Sequence, residues 1–284
     1  MRPELEDHPA IRSIRAEGFL SPAITAFAPS LRAMHAAWFG LAEDINRHGQ
    51  GLMNGLESVC QGRSTHDPVC LTTRLLMRSL SAFQGAVLLA ERGMAVDAET
   101  LARGVLENAF WLGYLARSPK EAVAALVAEE QFSQRARDRV LLKDLEQDQA
   151  DRPALAASLR ARIAQADAAL KGAKSLSLPD LAARGGGPAD YFAYKMLSSG
   201  AAHASLHSLS KHLASDGEGT WSGHVTGPDA DGARRALVLA THALLSGLRA
   251  VEARDGAAPS DALTTLGQTH ADLWANLPAT GAAL

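Results

Sequence analysis

The sequence is short of cysteine, of aromatic residues and of long apolar runs. Cys60 and Cys70 are its two cysteines, too few for a disulfide framework or a four-cysteine zinc site. Both read as buried, unreactive thiols. No apolar stretch reaches the roughly 18 residues that a membrane helix needs. The best one, Ala236 to Leu248, is shorter and contains His242. The first residues, Met1-Arg-Pro-Glu-Leu-Glu-Asp-His8, lack the charged-then-apolar order of a signal peptide. A reduced, cytoplasmic protein with no membrane partner is therefore expected. Charge of one sign is also missing, since 28 Lys and Arg face 31 Asp and Glu for a formal net charge of -3. That balance excludes a protein that coats nucleic acid over its whole surface and leaves room only for a local basic patch.

Aromatics make up only 5% of the chain, whereas alanine supplies roughly a fifth, far above ordinary usage. Alanine loses no side-chain entropy in a helix and is its best former, while sheets favour the β-branched and aromatic residues that are scarce here. With 284 residues, 47% of them hydrophobic, the chain can bury a full core without staples. The composition predicts an all-α protein, a single helical bundle of about eight helices.

Periodicity places those helices. Asp67-Pro68 supplies an N-cap and a preorganised first residue, and Gly93 a C-terminal glycine. Between them Leu71, Leu75, Leu76, Leu80, Phe83, Val87 and Leu88 recur at three-to-four spacing as one buried stripe. A second long helix is predicted over about 97–117 with Leu101, Val105, Leu106, Phe110 and Leu112 inward. Upstream, about 30–60 reads as one long helix or a broken pair burying Trp38, Phe39 and Leu41. The charge-dense stretch 131–151 reads as a solvated or partner-facing helix, followed by a weakly packed one to about Lys171. Helical patterns then cover about 188–213, 229–254 and 260–276. The glycines around Trp221 and Val225 suggest a small hairpin or ordered loop. No linker divides the chain, so the expected organisation is an N-terminal helical arm over 1–65 attached to a bundle domain over 66–284.

Two clusters carry chemistry. Arg103, Glu107 and Asn108 lie in an otherwise apolar run, and i, i+4 spacing puts Arg103 and Glu107 on one helical face. Charges in such surroundings tend to be paired, because an unpaired buried charge costs several kcal/mol. They form either a structural ion pair locking two helices or a polar centre that binds a ligand. In the second cluster Lys195, Ser199, His203, His207 and Lys211 follow one another every fourth residue, with Tyr194 at its head. On one helix these make a drifting polar stripe, whose histidines suit general acid–base work. Two histidines at i, i+4 could also enter a metal site given further ligands; a solvated polar face is the plainer alternative. Gly200-Ala-Ala202 lets a neighbour approach the backbone, which favours His203 facing a packed interior. A phosphate-binding P-loop, the His-Glu-x-x-His zinc motif, the Gly-x-Ser-x-Gly elbow and the Glu-x-x-His pairs of diiron bundles are all absent from the sequence. No resident cofactor or metal site is expected.

Taken together, Leu75 to Arg78, Arg103-Gly-Val-Leu-Glu107, Tyr194, Ser198 or Ser199, and His203 resemble a bacterial family of unknown function with HEPN-like helical bundles, over roughly residues 70–250. Relatives in the wider HEPN group include RNases of toxin and defence systems that use an arginine and a histidine four to six residues apart on one helix. The resemblance implies a HEPN-like core, RNA as substrate or ligand, homodimerisation and a regulatory partner protein. It implies catalytic Arg103, Glu107 and His203, with Asn108, Tyr194, Lys195, Ser199 and His207 binding. The chain departs from the RNase pattern at Arg103, where Asn108 stands in place of a histidine. Arg235 and His242, with six residues between them, are the alternative pair. A non-catalytic helical scaffold and a metal-assisted hydrolase using His203 and His207 are the competing readings.

Overall fold

The computed structural model describes residues 8–147, 152–202, 205–215 and 219–277. Among them are twelve α-helices and one two-stranded sheet, so the protein is all-α. The core is built on three long helices: α4 (Pro68–Glu91), α5 (Ala95–Arg117) and α11 (Ala230–Glu252). Helix α11 packs along both α5 and α4. Its Ala233, Leu237, Ala240, Leu244 and Leu248 are completely buried. Alanines at this crossing let the backbones approach, and the leucines fill the remaining space. Around these lie α1 (Ala10–Glu17), α2 (Ala23–Met34) and α3 (Ala36–Val59). Their Ile14, Phe27, Leu31, Phe39 and Ile45 belong to the same cluster of buried apolar side chains as Phe83 and Phe110. Each such side chain contributes about 1.5–3 kcal/mol by leaving water.

Local chemistry explains the helix ends. The carboxylate of Asp67 accepts from the Val69 amide at 2.8 Å, with Pro68 in the first turn. At the other end Gly93 takes a left-handed φ of 76°. Gly93 N–H donates to Ala90 O and Met94 N–H to Leu89 O, which closes a Schellman motif. A side chain at Gly93 would also run into Pro228, and Gly93 O accepts from Asp229 N–H at 3.0 Å. The end of α4 therefore holds the start of α11, where Asp229 caps Gly232 N–H.

Helices α6 (Pro119–Gln147) and α7 (Pro153–Ala169) pair as an antiparallel hairpin, largely exposed. Arg162 forks onto Asp138, which it holds well below the usual carboxylate range chiefly through that hydrogen bond. Next come α8 (Leu178–Gly185) and α9 (Pro188–Leu197), then a π-helical turn (Ser198–Ala202) and α10 (Leu206–Ser210). Strands β1 (Leu213–Ser215) and β2 (Trp221–His224) form the antiparallel pair. Helix α12 (Asp261–Ala275) packs on α3 and α11.

The structure departs from the sequence expectations in four places. Twelve helices replace about eight because 23–59 breaks at His35 and short helices fill stretches read as loop or as parts of longer ones. Residues 188–213 are not one helix. Ser198-Ser199-Gly200 has poor helix propensity and winds into a π turn, and Ser205, in extended conformation, caps a new helix by accepting from Ser208 N–H. The four-residue stripe from Lys195 to Lys211 is therefore not a continuous helical face. Leu88 is exposed. Finally, Cys60 and Cys70 are both partly exposed, because they flank the α3–α4 turn rather than a packed face.

Candidate functional site

The polar residues of α5 point one way. Glu99, Arg103 and Glu107 stand at successive i, i+4 positions, facing α9, the π turn and the segment that follows. Arg103 Nε donates to Ser198 Oγ at 2.9 Å, and its Nη2 reaches Tyr194 Oη and Glu107 Oε1, the latter at 2.8 Å. Tyr194 Oη donates to Glu107 Oε1 at 3.0 Å, and the guanidinium carbon lies 4.9 Å from the Tyr194 ring centre. One turn earlier Glu99, its side chain 3% exposed, takes Lys211 Nζ on one oxygen and Arg235 Nε at 2.7 Å on the other. The π turn is what allows both contacts: it sets Ser198 beside Arg103 and brings Ala201 O to Thr100 Oγ1 at 3.4 Å. Gly200 belongs to the same junction, because a methyl group there would come within 3.1 Å of Lys211 Nζ and 3.7 Å of His207 Nε2.

Of the residues singled out in the sequence, Arg103, Glu107 and Tyr194 thus meet in one network. Asn108 is buried on α5, and its Nδ2 has no hydrogen-bond partner among the described residues. Lys195 is exposed, Ser199 Oγ donates to Met196 O, and His207 is exposed near Gly200. His203 lies outside the described residues. Among the described residues no three His, Cys, Asp or Glu side chains gather as a metal site.

A second centre forms where α9 meets α11. Gly113 of α5 and Gly185 of α8 touch backbone to backbone, and a Cβ on either would overlap the other helix. This contact lays the Gly185–Gly187 turn over α5 and aims the first turn of α9 at α11. Asp190 then accepts from Gly187 N–H at 2.9 Å with one oxygen. The other oxygen takes Ser246 Oγ at 2.8 Å and His242 Nε2 at 3.0 Å. Burial pushes the Asp190 carboxyl up, but the hydrogen bonds from His242, Ser246 and Gly187 outweigh it and hold the group below its ordinary value. An ionised Asp190 makes His242 Nε2–H the donor, leaving Nδ1 as the lone-pair nitrogen of the neutral ring. The serine and histidine both bind the carboxylate, not each other, so this is no nucleophilic relay, which needs histidine between the two. It is an imidazole oriented by a carboxylate, suited to moving a proton.

His242 borders two cavities. One, of about 430 Å³, is lined by the Gly185–Gly187 turn, Arg117, Asp190, Ser246 and Arg249. Arg117 donates to Arg184 O at 2.8 Å; Arg249 lies against Gly267 of α12 and makes no ion pair among the described residues. The other, of about 460 Å³, is mostly apolar, with Phe192, Met196, Leu239, His270 and Trp274 in its wall. His270 stacks on Trp274 and meets Trp38 edge-on. Burial, with help from the charges of His242 and Arg249, pushes its imidazole down to about 4 despite the hydrogen bond to Val238 O.

Asp190, Ser246, Arg249 and His270 were not singled out in the sequence. Asp190 sits in the first turn of α9, where its bond to Gly187 N–H also caps the helix. His242, Ser246 and Arg249 fall at i, i+4 and i+7 on an apolar helix, and that polar line was the legible signal. Arg235 and His242, spaced like a catalytic pair, bind different carboxylates, Glu99 and Asp190.

No curated protein and no solved structure matches the chain. A family of unknown function, DUF5677, matches residues 69–220, which hold Arg103, Glu107, Asp190 and Tyr194 but not His242. On that match over more than half its length, the chain belongs to the DUF5677 family.

Proposed function

We propose that the chain is a HEPN-like helical protein that cleaves RNA at the cavity shared by α5, α9 and α11, with His242 as the general base. The observation that carries this reading is the shared cavity. His242, oriented by Asp190, opens into the same space as Arg117 and Arg249. Cleavage needs a base for the ribose 2′-hydroxyl and cations for the charge that builds on phosphorus. His242 Nδ1 takes the 2′-hydroxyl proton, and the 2′-oxygen attacks the adjacent phosphorus. The bond to the 5′-oxygen breaks, and that oxygen takes a proton from solvent, leaving a 2′,3′-cyclic phosphate. Arg249 and Arg117 neutralise the equatorial oxygens.

The test is cleavage of single-stranded RNA by wild type, His242→Ala and Arg249→Ala in EDTA, with matching circular-dichroism spectra. His242→Ala is expected to lose about 10²-fold or more in rate. Equal cleavage by wild type and His242→Ala, or none by wild type, refutes the assignment.

A scaffold reading of Arg103 and Glu107 is favoured by a separate observation: Arg103 bonds at once to Glu107 of α5, Tyr194 of α9 and Ser198 of the π turn, so it ties three elements together. In that reading Arg103→Ala destabilises the fold by about 1–3 kcal/mol, the cost of leaving polar partners unsatisfied. The residual folded protein keeps the wild-type cleavage rate. A lost rate with unchanged melting temperature would instead return Arg103 to the catalytic machinery.

A further inference from the structure

The apolar cavity on the far side of His242 has no part in proton transfer, yet it is built from groups that recognise a planar ring. Phe192 and Met196 come from α9, Leu239 from α11, and His270 and Trp274 from α12. Phe192 is 63% exposed and Trp274 39%, so two large aromatic side chains stand in water in the wall of one cavity. Its volume of about 460 Å³ falls within the range of small-ligand sites, roughly 300–1,000 Å³. His242 is common to this cavity and to the arginine-lined one. A ligand that fills both must therefore join a flat apolar ring to an anionic group.

We infer that this cavity is a nucleobase subsite that takes one unpaired base of single-stranded RNA, seated on Phe192 and Trp274 while the neighbouring phosphate lies toward Arg249. The inference rests on the RNA reading above and names the form of RNA the site accepts. A base in a duplex is stacked on both faces and cannot enter, whereas an unpaired base gains about 1–3 kcal/mol from an aromatic platform. His270 adds a polar mark. Its Nε2 lies 3.3 Å from Val238 O, and a carbonyl accepts, so the nitrogen facing it carries the proton. Burial keeps the ring neutral at ordinary pH, which leaves Nδ1 as an acceptor. An acceptor in the wall suits any base that offers a donor, whether an amino group or the ring N–H of uracil, so preference among bases comes from the area of ring that stacks, larger for a purine than for a pyrimidine.

The experiment uses the full chain and nucleosides, which carry the base and no phosphate. Adenosine and uridine are titrated against tryptophan fluorescence for wild type, Phe192→Ala and Trp274→Phe. Phe192 is exposed, so its truncation leaves the fold intact. The expected result is saturable quenching by adenosine, tighter than by uridine. Phe192→Ala weakens it by about 5- to 150-fold, equivalent to one stacking contact. Trp274→Phe removes the signal. Absent binding, or binding indifferent to Phe192→Ala, overturns the subsite. If RNA is still cut through His242 in that event, the cleavage reading stands alone. If adenosine binds as expected but RNA is not cut, the subsite stands and the catalytic reading falls.

Discussion

Acidification tests the packing of His270 directly. Its imidazole titrates ordinarily at 6.5 and is pushed down to about 4 in the fold, first by burial between α11 and α12 and then by the charges of His242 and Arg249. Between those two values the unfolded chain binds a proton that the native chain refuses. The contribution to stability is therefore complete above the ordinary value and is lost progressively as pH falls toward the folded one. The full difference amounts to about 3 kcal/mol, and roughly 2 kcal/mol of it is gone at about pH 5. The depressed carboxylates Asp190, Glu252 and Asp138 act lower. Their contributions are present above the unfolded carboxylate range and fade only below it, which keeps them largely clear of this window. The perturbation is His270→Gln, whose amide can still donate to Val238 O but does not titrate. Urea unfolding at about pH 8 and about pH 5 should show wild type losing roughly 2 kcal/mol more than the variant across that interval, or about 4 °C in melting temperature. Equal pH slopes for the two proteins would refute the reasoning, as would a native His270 resonance titrating near the ordinary value.

Two further substitutions test the frame of the site. Glu99→Gln leaves Lys211 and Arg235 facing a neutral amide where a buried carboxylate stood; a loss of about 3–5 kcal/mol in denaturant unfolding is expected, and a loss under 1 kcal/mol would mean the pair is solvated. Gly113→Ala forces α5 and α8 apart at their backbone contact; a cost of about 1–3 kcal/mol or more is expected by thermal melting, with weakened RNA cleavage, because the turn that presents Asp190 moves with α8. A wild-type melt would show that the two helices are not in contact there.

The helices around the core were legible because they rest on local chemistry. Asp67-Pro68 and Gly93 bound α4 through hydrogen bonds within a few residues, and the leucine and phenylalanine periodicity marks the side that faces the core. The partial failure at 188–213 has a tertiary cause. Periodicity extends a helix through Ser198-Ser199-Gly200, whereas the observed π turn follows from tertiary bonds that reward it, Ser198 to Arg103 and Ala201 to Thr100. Arg103 and Glu107 were recognisable as a pair from i, i+4 spacing. Their partners Tyr194 and Ser198 lie some ninety residues away, and their burial against α5 depends on how α9 is docked.

What the amino-acid sequence by itself determined is the class of the protein. Abundant alanine, scarce aromatics and helix punctuation act through propensity and capping, which need no distant neighbour, and they lead to an all-α bundle. What only the tertiary structure decided is which polar residues share a space. Asp190 and Ser246 are 56 residues apart, and nothing in the spacing of either points to the other. They meet because Gly113 and Gly185 let two helices touch without side chains between them, and a contact between two backbones leaves no periodic trace in either segment.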